Sequence, residues 1–271
     1  MALPLIAIYC NWKYEVIAFH PFRSDDQHEL KVMTWNVHCP NGADSLRQRS
    51  IAELILKEDA DFVQLNEFHQ DSCSVMDSIL RTRYLYTEEC QSHQRCGDIF
   101  YSKLKIYNSG RVKMPRRDVI RPIKATIAVS VDSVHIFGVH MVSNYNDGKL
   151  GKQVGNGTLS FERYKIAQGL RCIQAHWIKN AVIESKHPVI VMGDMNDFNC
   201  SAPLDTLTSC GLRDAWWEGG NGYGCTFHDG WLRLRIDHIL HSKGLNLESI
   251  KVINSDLSDH NPVVAGFSIE H

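Results

Sequence analysis

The nine residues from Val189 to Asp197, Val-Ile-Val-Met-Gly-Asp-Met-Asn-Asp, constrain the fold of this chain more than any other stretch. Four consecutive apolar residues, three of them β-branched, are typical of a strand that is buried on both faces. The run ends at Gly193, and polar Asp194, Asn196 and Asp197 follow. The stretch predicts a rigid strand that holds a carboxylate and an amide at the rim of a sheet. A strand followed by an ordinary Asx-rich turn is the alternative.

Three other apolar runs also end in a polar side chain. Asn36 and Glu67 end the first two β-rich runs after residue 30, and His140 follows a third. An unpaired polar group in a buried strand is costly, so each must bond locally or face a site. Together with Asp194, these residues indicate that the ends of several strands place polar side chains at one common site.

Strands and helices alternate along the whole chain, without a repeat or an evident linker. Hydrophobic periodicity predicts helices at 44–57, 72–83, 158–184 and 203–209, and strands at 31–38, 61–67, 84–87, 98–102, 125–131, 134–139, 189–192, 234–240, 247–253 and 263–269. This pattern predicts an α/β protein in which two sheets pack together and helices cover the outer faces. We expect one domain over 31–271. Residues 1–30 are expected to form an N-terminal extension, which is a membrane or linker remnant in one interpretation.

The overall charge restricts the kinds of partner that the chain can bind. A formal net charge of -2 argues against bulk electrostatic binding to nucleic acid or to an anionic membrane, so such contacts require a local patch. The 14 histidines favour metal or phosphate chemistry. Six basic residues and one acid lie between Arg111 and Lys124. This stretch is either a solvated face or a loop that contacts phosphate, with Arg121 best placed to point inward.

The cysteines and the N-terminus bear on localisation. Nine cysteines without a Cys-x-x-Cys pair suggest neither a disulfide framework nor a thiolate zinc site. Reduced thiols favour a cytoplasmic protein. Residues 1–10 are apolar but too short for a spanning helix, and they lack the features of a clear signal peptide. A membrane anchor is the alternative if an apolar segment precedes residue 1.

A Gly- and Asn-rich loop at 143–157, which contains Asn144, is interpreted as a substrate lid. It lacks a Walker pattern.

Six short motifs occur in a characteristic order. They are Trp35-Asn36, Asn66-Glu67, Val139-His140, Gly193-Asp194-Met195-Asn196, Ile236-Asp237-His238 and Ser258-Asp259-His260. In this order the chain, over about residues 31–269, resembles the endonuclease/exonuclease/phosphatase superfamily, which is similar to deoxyribonuclease I. The resemblance implies a catalytic domain with a four-layered α/β/β/α sandwich of two mixed, mainly antiparallel sheets. It also implies cleavage of phosphoester bonds that depends on Mg²⁺ or Mn²⁺.

The resemblance assigns the metal ligands and the residues that handle the attacking water. A phosphodiester is anionic, so its hydrolysis needs charge neutralisation and an activated water, and Mg²⁺ prefers oxygen ligands. Glu67 is the first metal ligand implied, with Asn36 and Asp259 beside it. Asp194 is expected to orient or deprotonate the water, and Asn196 to fix Asp194 or the phosphate.

Two imidazoles complete the implied site. His260 binds a phosphoryl oxygen or acts as a base, and Asp237 holds it in one tautomer. His140 donates to the phosphate or to the leaving oxygen. Arg121 and Asn144 are the candidate substrate-binding residues.

The chain departs from the family pattern at three positions. Asn66 replaces a usual Gln, His38 stands where abasic-site endonucleases carry an acid, and His140 stands where they carry a Tyr. These differences indicate the branch of the superfamily that carries a histidine at the position of His140. This branch includes nucleases, sphingomyelinases, deadenylases and tyrosyl-DNA phosphodiesterases. The branch does not fix the substrate.

The favoured function is therefore a monomeric phosphodiesterase that uses in-line attack of an activated water on a nuclease-like substrate, with no obligate protein partner. The low net charge disfavours a long duplex footprint. The alternative is a phospholipid, sphingomyelin or inositol-phosphate hydrolase. Exposed aromatic residues near the site would favour it, with Trp216, Trp217 and Trp231 as candidates, although core packing is their expected role. A non-catalytic binding module is least favoured, because no acidic or histidine position of the family is missing.

Overall fold

The computed structural model describes most of the chain. The described residues are 17–20, 28–39, 44–90, 97–114, 121–144 and 159–270. The strands are β1 (Ala18–Phe19), β2 (Leu30–Asn36), β3 (Phe62–Phe68), β4 (Tyr86–Cys90), β5 (Gly97–Ser102), β6 (Ile106–Arg111), β7 (Ile123–Val129), β8 (Asp132–His140), β9 (Val189–Asp194), β10 (Arg213–Asp214), β11 (Asn221–Gly222), β12 (Phe227–Asp229), β13 (Leu232–Leu234), β14 (Asp237–His241), β15 (Leu245–Val252) and β16 (Val263–Ile269). The helices are α1 (Ser45–Glu58), α2 (Ser74–Leu80), α3 (Leu159–Ile183), α4 (Ala202–Thr208) and α5 (Ala215–Gly219).

Twelve of the strands form two sheets of six strands each. The first sheet has the order β4-β5-β3-β2-β16-β15, and the second has the order β6-β7-β8-β9-β14-β10. Neighbouring strands are antiparallel except for β2 beside β3 and β8 beside β9, which are parallel. A parallel pair needs a crossover connection, and here α1 and α3 supply it on the outer faces of the two sheets.

Three apolar layers hold the four layers of secondary structure together. Leu30 and Phe100 of the first sheet pack against Ile136 and Met192 of the second sheet in the central core. A second core lies between the first sheet and the helices α1 and α2. A third lies between the second sheet and the helices α3 and α4. The predicted α/β/β/α sandwich is therefore confirmed.

Some local predictions differ from the structure. The helix predicted at 72–83 is shorter, and the edge strand β6 lies in a segment for which no element was predicted. The strand predicted at 234–240 is divided between the end of β13 and β14, so Asp237 begins a strand instead of lying within one. In the region expected as an N-terminal extension, β1 pairs with β11. Residues 1–10 lie outside the described residues.

The expectation of reduced cysteines is wrong for one pair. Cys39 and Cys73 are both fully buried and form a disulfide that joins the segment after β2 to the start of α2. The two cysteines are 34 residues apart and meet only because β2 and β3 lie side by side, so their spacing gave no signal. Across the described ranges, no helix combines the length and apolar character required to cross a membrane.

Candidate active site

The predicted polar strand ends meet at one edge of the sandwich. In the first sheet, Asn36 at the end of β2 is in register with Asn66 near the end of β3. In the second sheet, Asp194 at the end of β9 is in register with His140 of β8 and with Asp237 of β14. Because the carboxyl ends of parallel strands share an edge, packing one sheet on the other brings both groups together.

Gly193 allows the two sheets to approach closely beneath the site. It has a φ of 135°, and a Cβ at this position would collide with the carbonyl oxygen of Val139 on the neighbouring strand β8 and with Nε2 of Gln64, which belongs to the first sheet. That oxygen accepts hydrogen bonds from the side-chain amides of Gln64 and Asn66, both at 3.0 Å. The backbone N–H of Asp194 in turn donates to Asn66 Oδ1 at 3.1 Å. Gly193 is therefore required for close approach, and amides of the first sheet hold Asp194 in place.

The Asn36 amide bridges two carboxylates. Its Nδ2 donates to Glu67 Oε1 and to Asp194 Oδ2, both at 3.0 Å. Its Oδ1 accepts the backbone N–H of His38 at 3.0 Å, and this bond fixes the orientation of the amide. The Oδ1 atom keeps a second lone pair, so the role of Asn36 as a metal ligand stays a prediction, while its nitrogen contacts both carboxylates.

His38 is a site residue that the sequence analysis did not assign. Its Nδ1 lies 3.4 Å from Glu67 Oε2 and 3.7 Å from Asp259 Oδ2. Contact with Glu67 raises the pKa of His38, and the charge of Asp259 adds to this effect against the opposing influence of burial. For Glu67 itself, burial favours a higher pKa, but His38, the charge of His140 and the Asn36 amide together lower it to about 2.

Asp194 lies at the centre of the cluster. It is buried, and its Oδ1 accepts the backbone N–H of Asn196 at 2.8 Å. Its Oδ2 lies 3.8 Å from His260 Nε2 and 4.0 Å from His140 Nε2. Burial and the neighbouring charge of Asp237 raise the pKa of Asp194 above its ordinary value, although the two imidazoles oppose them. Asp194 is thus a carboxylate with increased proton affinity between two imidazoles.

His260 and Asp237 form a buried ion pair. Their Nδ1 and Oδ2 atoms are 2.8 Å apart, which fixes the imidazole as expected. Burial lowers the pKa of His260, but the charges of Asp237 and Asp194 outweigh it and raise the pKa to about 10. The second oxygen of Asp237, Oδ1, is buried without a hydrogen-bond partner among the described residues.

Asp98 is a second residue that the sequence analysis missed. It is buried at the start of β5, where its Oδ1 lies 3.5 Å from His140 Nδ1 and accepts from Asn66 Nδ2 at 2.8 Å. Burial disfavours the charged form of His140, but Asp98, Asp194 and Glu67 raise its pKa to about 9. Asp98 begins the apolar run at 98–102, whereas the residues that were identified each end such a run.

The two candidate substrate-binding residues lie outside this cluster. Asn144 accepts a hydrogen bond from Arg171 Nη1 at 3.0 Å through its side-chain oxygen. Arg121 is half-buried just ahead of β7, and within the described part of the chain it makes no hydrogen bond or ion pair to the cluster. In the predicted lid, residues 145–157 lie outside the described residues, as do residues 115–120 of the basic stretch.

Two adjacent sets of donors fit a divalent cation. Glu67 and Asp259 offer carboxylates that are 26% and 37% exposed, and the imidazole between them shows that the position attracts positive charge. Deeper in the site, ligand atoms of Asp194, Asp237 and His260 all lie within 4.8 Å of one another. Asp237, whose Oδ1 is buried without a hydrogen-bond partner among the described residues, belongs to this second set. Carboxylate oxygens that are partly open to water suit Mg²⁺ or Mn²⁺, which retain water ligands.

Comparisons with known proteins agree with this fold. The model of the endonuclease/exonuclease/phosphatase family matches residues 33–260, whereas no curated protein matches the sequence. A humanized D. rerio TDP2 with 14 mutations is 18% identical, with a TM-score of 0.68 over 88% of this chain and 98% of that one. D. rerio TDP2 complexed with a single-strand DNA product is 17% identical, with a TM-score of 0.65 over 88% and 98%. The 3′-5′ exonuclease NExo from Neisseria meningitidis is 19% identical, with a TM-score of 0.66 over 88% and 99%. At these identities the likeness to solved structures is one of fold.

Proposed function

Since the chain belongs to the endonuclease/exonuclease/phosphatase family, whose members are hydrolases of phosphodiester bonds, we propose that it is a divalent-metal-dependent phosphodiesterase. The observation that carries this proposal is the convergence of acids and imidazoles from separate segments of the chain. Glu67 lies 3.9 Å from His140, His140 lies 4.0 Å from Asp194, and Asp194 lies 3.8 Å from His260. A cluster of this kind can bind an anionic ester and also move a proton.

Glu67 and Asp259 are the residues proposed to hold the cation, with the amide oxygen of Asn36 beside them. The low pKa of Glu67 keeps it anionic at neutral pH, and the Asn36 amide orients its carboxylate. A bound divalent cation neutralises phosphate charge and stabilises negative charge that develops on the leaving oxygen. Displacement of the His38 imidazole from between the two acids would open this position.

Asp194 is proposed to orient the attacking water and to accept its proton. Hydrogen bonds from Asn36 and from the Asn196 backbone fix its two oxygens, so the carboxylate cannot rotate away from the nucleophile. Its raised pKa increases its proton affinity near neutral pH, as a general base requires.

His260 and His140 are proposed to donate hydrogen bonds to the phosphoryl and leaving oxygens. Their pKa values of about 10 and about 9 keep both rings protonated at neutral pH. This favours the donor role for His260 over the alternative role of base. Both Nε2 atoms are too far from Asp194 for direct hydrogen bonds, so their N–H groups remain available to a substrate oxygen.

We infer a nuclease-like substrate. The support comes from two neighbours of the same fold, one named a 3′-5′ exonuclease and the other holding a single-strand DNA product. A phospholipid, sphingomyelin or inositol phosphate is the alternative substrate.

The test is a substrate panel assayed with Mg²⁺ or Mn²⁺. Plasmid, single-stranded oligonucleotides, sphingomyelin and inositol phosphates would be incubated with the wild-type protein and with Asp194→Asn, which keeps the shape of the side chain. We expect oligonucleotide hydrolysis that Asp194→Asn abolishes while the protein remains folded. Hydrolysis that survives this substitution would contradict the assigned site, and turnover of sphingomyelin alone would contradict the nuclease-like substrate.

A further inference from the structure

The β12–β13 hairpin presents an exposed tryptophan at its tip. Gly230 and Trp231 connect the two strands, and the Trp231 side chain is 90% exposed, the largest value among the described large hydrophobic residues. Trp216, by contrast, is 8% exposed and packs as expected, and Trp217 is half-buried. The prediction that all three tryptophans pack in the core is therefore wrong for Trp231, and an exposed aromatic residue near the site is the feature that was expected of a lipid hydrolase.

The base of this hairpin is attached to the catalytic cluster. The backbone N–H of His228 donates to the carbonyl of Asp259 at 2.8 Å. Phe227 forms a β-bridge with His260, and their two rings lie 5.0 Å apart. The hairpin therefore holds a fixed position relative to His260.

Hydrogen bonds within the hairpin, and one from Tyr223 ahead of it, also hold its tip. Arg233 Nη1 donates to the carbonyl oxygens of Gly230 and Leu232, both at 2.9 Å. The Tyr223 hydroxyl donates to the carbonyl of Arg233 at 3.2 Å. An aromatic ring on a preorganised turn can bind a ligand at a lower ordering cost than a ring on a mobile loop.

We propose that Trp231 is a stacking platform for an unpaired base of single-stranded nucleic acid. Trp231 lies four positions after Phe227, which spans at most about 13 Å at the roughly 3.3 Å rise of a strand. Stacked bases are spaced by about 3.4 Å along a strand, so the ring lies within a few nucleotides of the phosphate at His260. This inference rests on the proposed function and narrows its substrate to a single strand several nucleotides long.

The surroundings of Trp231 favour a base over a lipid. Asp229 and Arg233 are exposed on the same hairpin, so insertion of the tip into an apolar phase would bury charges. Stacking requires only one face of one ring and tolerates any base. A base within a duplex is already stacked on its neighbours, and the net charge of -2 suits a short single-strand footprint better than a long duplex contact.

The test compares kcat/KM for a 12-nucleotide single strand with that for a dinucleotide, which cannot reach the hairpin tip. We expect Trp231→Ala to lower the ratio of these two values by roughly five- to hundredfold, the range measured for base–aromatic stacking. Trp231→Phe should retain most of the ratio. Val131→Ala is the matched control, because Val131 is 88% exposed in the turn between β7 and β8, at the end of the sheet away from the site.

Three outcomes would overturn the proposal. The first is an unchanged kcat/KM ratio in Trp231→Ala. The second is an equal loss of kcat/KM with the oligonucleotide and with the dinucleotide in that variant. The third is that Trp231→Ala weakens binding to sphingomyelin vesicles and leaves binding to the oligonucleotide unchanged. Anisotropy of a labelled oligonucleotide, measured with Asp194→Asn as the background, gives the affinity change without turnover. A protein that hydrolyses no phosphodiester would refute the proposed function, whereas this affinity measurement would still decide the role of Trp231.

Discussion

Asp237→Asn tests the electrostatics of the site most sharply. Asp237 and His260 are 1% and 5% exposed, and a 2.8 Å hydrogen bond joins them. The substitution preserves the shape of the side chain and removes its charge. Without that charge, His260 should lose much of its proton affinity and with it the proton that it is proposed to donate.

The expected magnitudes follow from the burial and the charge of this bond. A hydrogen bond to a charged group contributes about 1.5–3 kcal/mol to stability. At about 2–4 °C per kcal/mol for domains near this size, Tm should fall by roughly 3–12 °C. Loss of a positioned proton donor should lower kcat by about 10²–10⁴-fold. The protein should therefore remain folded at 25 °C while most of its activity is lost.

The assay is thermal unfolding and phosphodiester hydrolysis as functions of pH. Burial opposes the charge of His260, but Asp237 and Asp194 raise its pKa from 6.5 to about 10. Stability gained in this way is fully present below about pH 6.5 and is lost as pH rises toward 10. The Tm difference between wild type and Asp237→Asn should shrink across that window. The alkaline limb of the rate profile should also move to lower pH in the variant.

Glu218→Gln is the matched control, because it makes the same change beside a different buried imidazole. Glu218 Oε2 lies 3.1 Å from His241 Nε2, at the opposite end of β14 from Asp237. This variant should hydrolyse at the wild-type rate. Equal rate losses in the two variants, or a near wild-type rate in Asp237→Asn, would refute the role assigned to the Asp237–His260 pair.

Two further substitutions test the surrounding structure. Gly193→Ala forces a residue with a side chain into a φ of 135° and places its Cβ against the Val139 carbonyl. Calorimetry should therefore show that the free energy of unfolding falls by about 1–3 kcal/mol. Gly110→Ala, where a Cβ meets no atom within 4 Å, should be much milder, and equal losses would contradict the close approach. Asp98→Asn removes the negative charge beside His140, so the pKa of His140 should fall below about 9. Because the imidazole also loses the partner that orients it, kcat should fall by about 10–100-fold. An unchanged His140 titration, followed by NMR, would show that Asp98 does not hold that ring.

The strand ends of the site were predictable because the signal is local. A polar residue that ends an apolar run is visible without knowledge of its partners, as at Asp194 and His140. The closing strand, Val263–Ile269, was predicted with the bounds that the structure shows. Helix α1 begins after Asp44, whose side chain accepts the N–H of Leu46 as an N-cap does.

The partners of these residues were not predictable, because they depend on how the two sheets pack. Asn36 donates to an oxygen of Asp194, 158 residues away in the chain. The contact of His140 with Asp98 also joins the two sheets, and no sequence spacing encodes it. For this reason the orientation of the Asn36 amide and the placement of His38 emerged only from the structure.

Strand β6 and the hairpin tryptophan were missed for a different reason. Most residues of Ile106–Arg111 are exposed, so this edge strand lacks the apolar alternation that predicts a strand. Trp231 lies between Gly230 and Leu232, a context that does not separate a core residue from the tip of a turn. In both cases burial is set by the position in the sheet and not by the local sequence.

Titration of the metal-stripped protein with Mg²⁺ and Mn²⁺ shows whether the acids of this site hold a catalytic divalent cation. Hydrolysis of a generic phosphodiester and cation binding by calorimetry would be followed together for wild type and Glu67→Gln. We expect no hydrolysis after exhaustive chelation, full recovery with either ion, and weaker cation binding in Glu67→Gln because one of the two open carboxylates loses its charge. Hydrolysis that persists without a divalent cation, or binding that is unchanged in Glu67→Gln, would contradict this expectation.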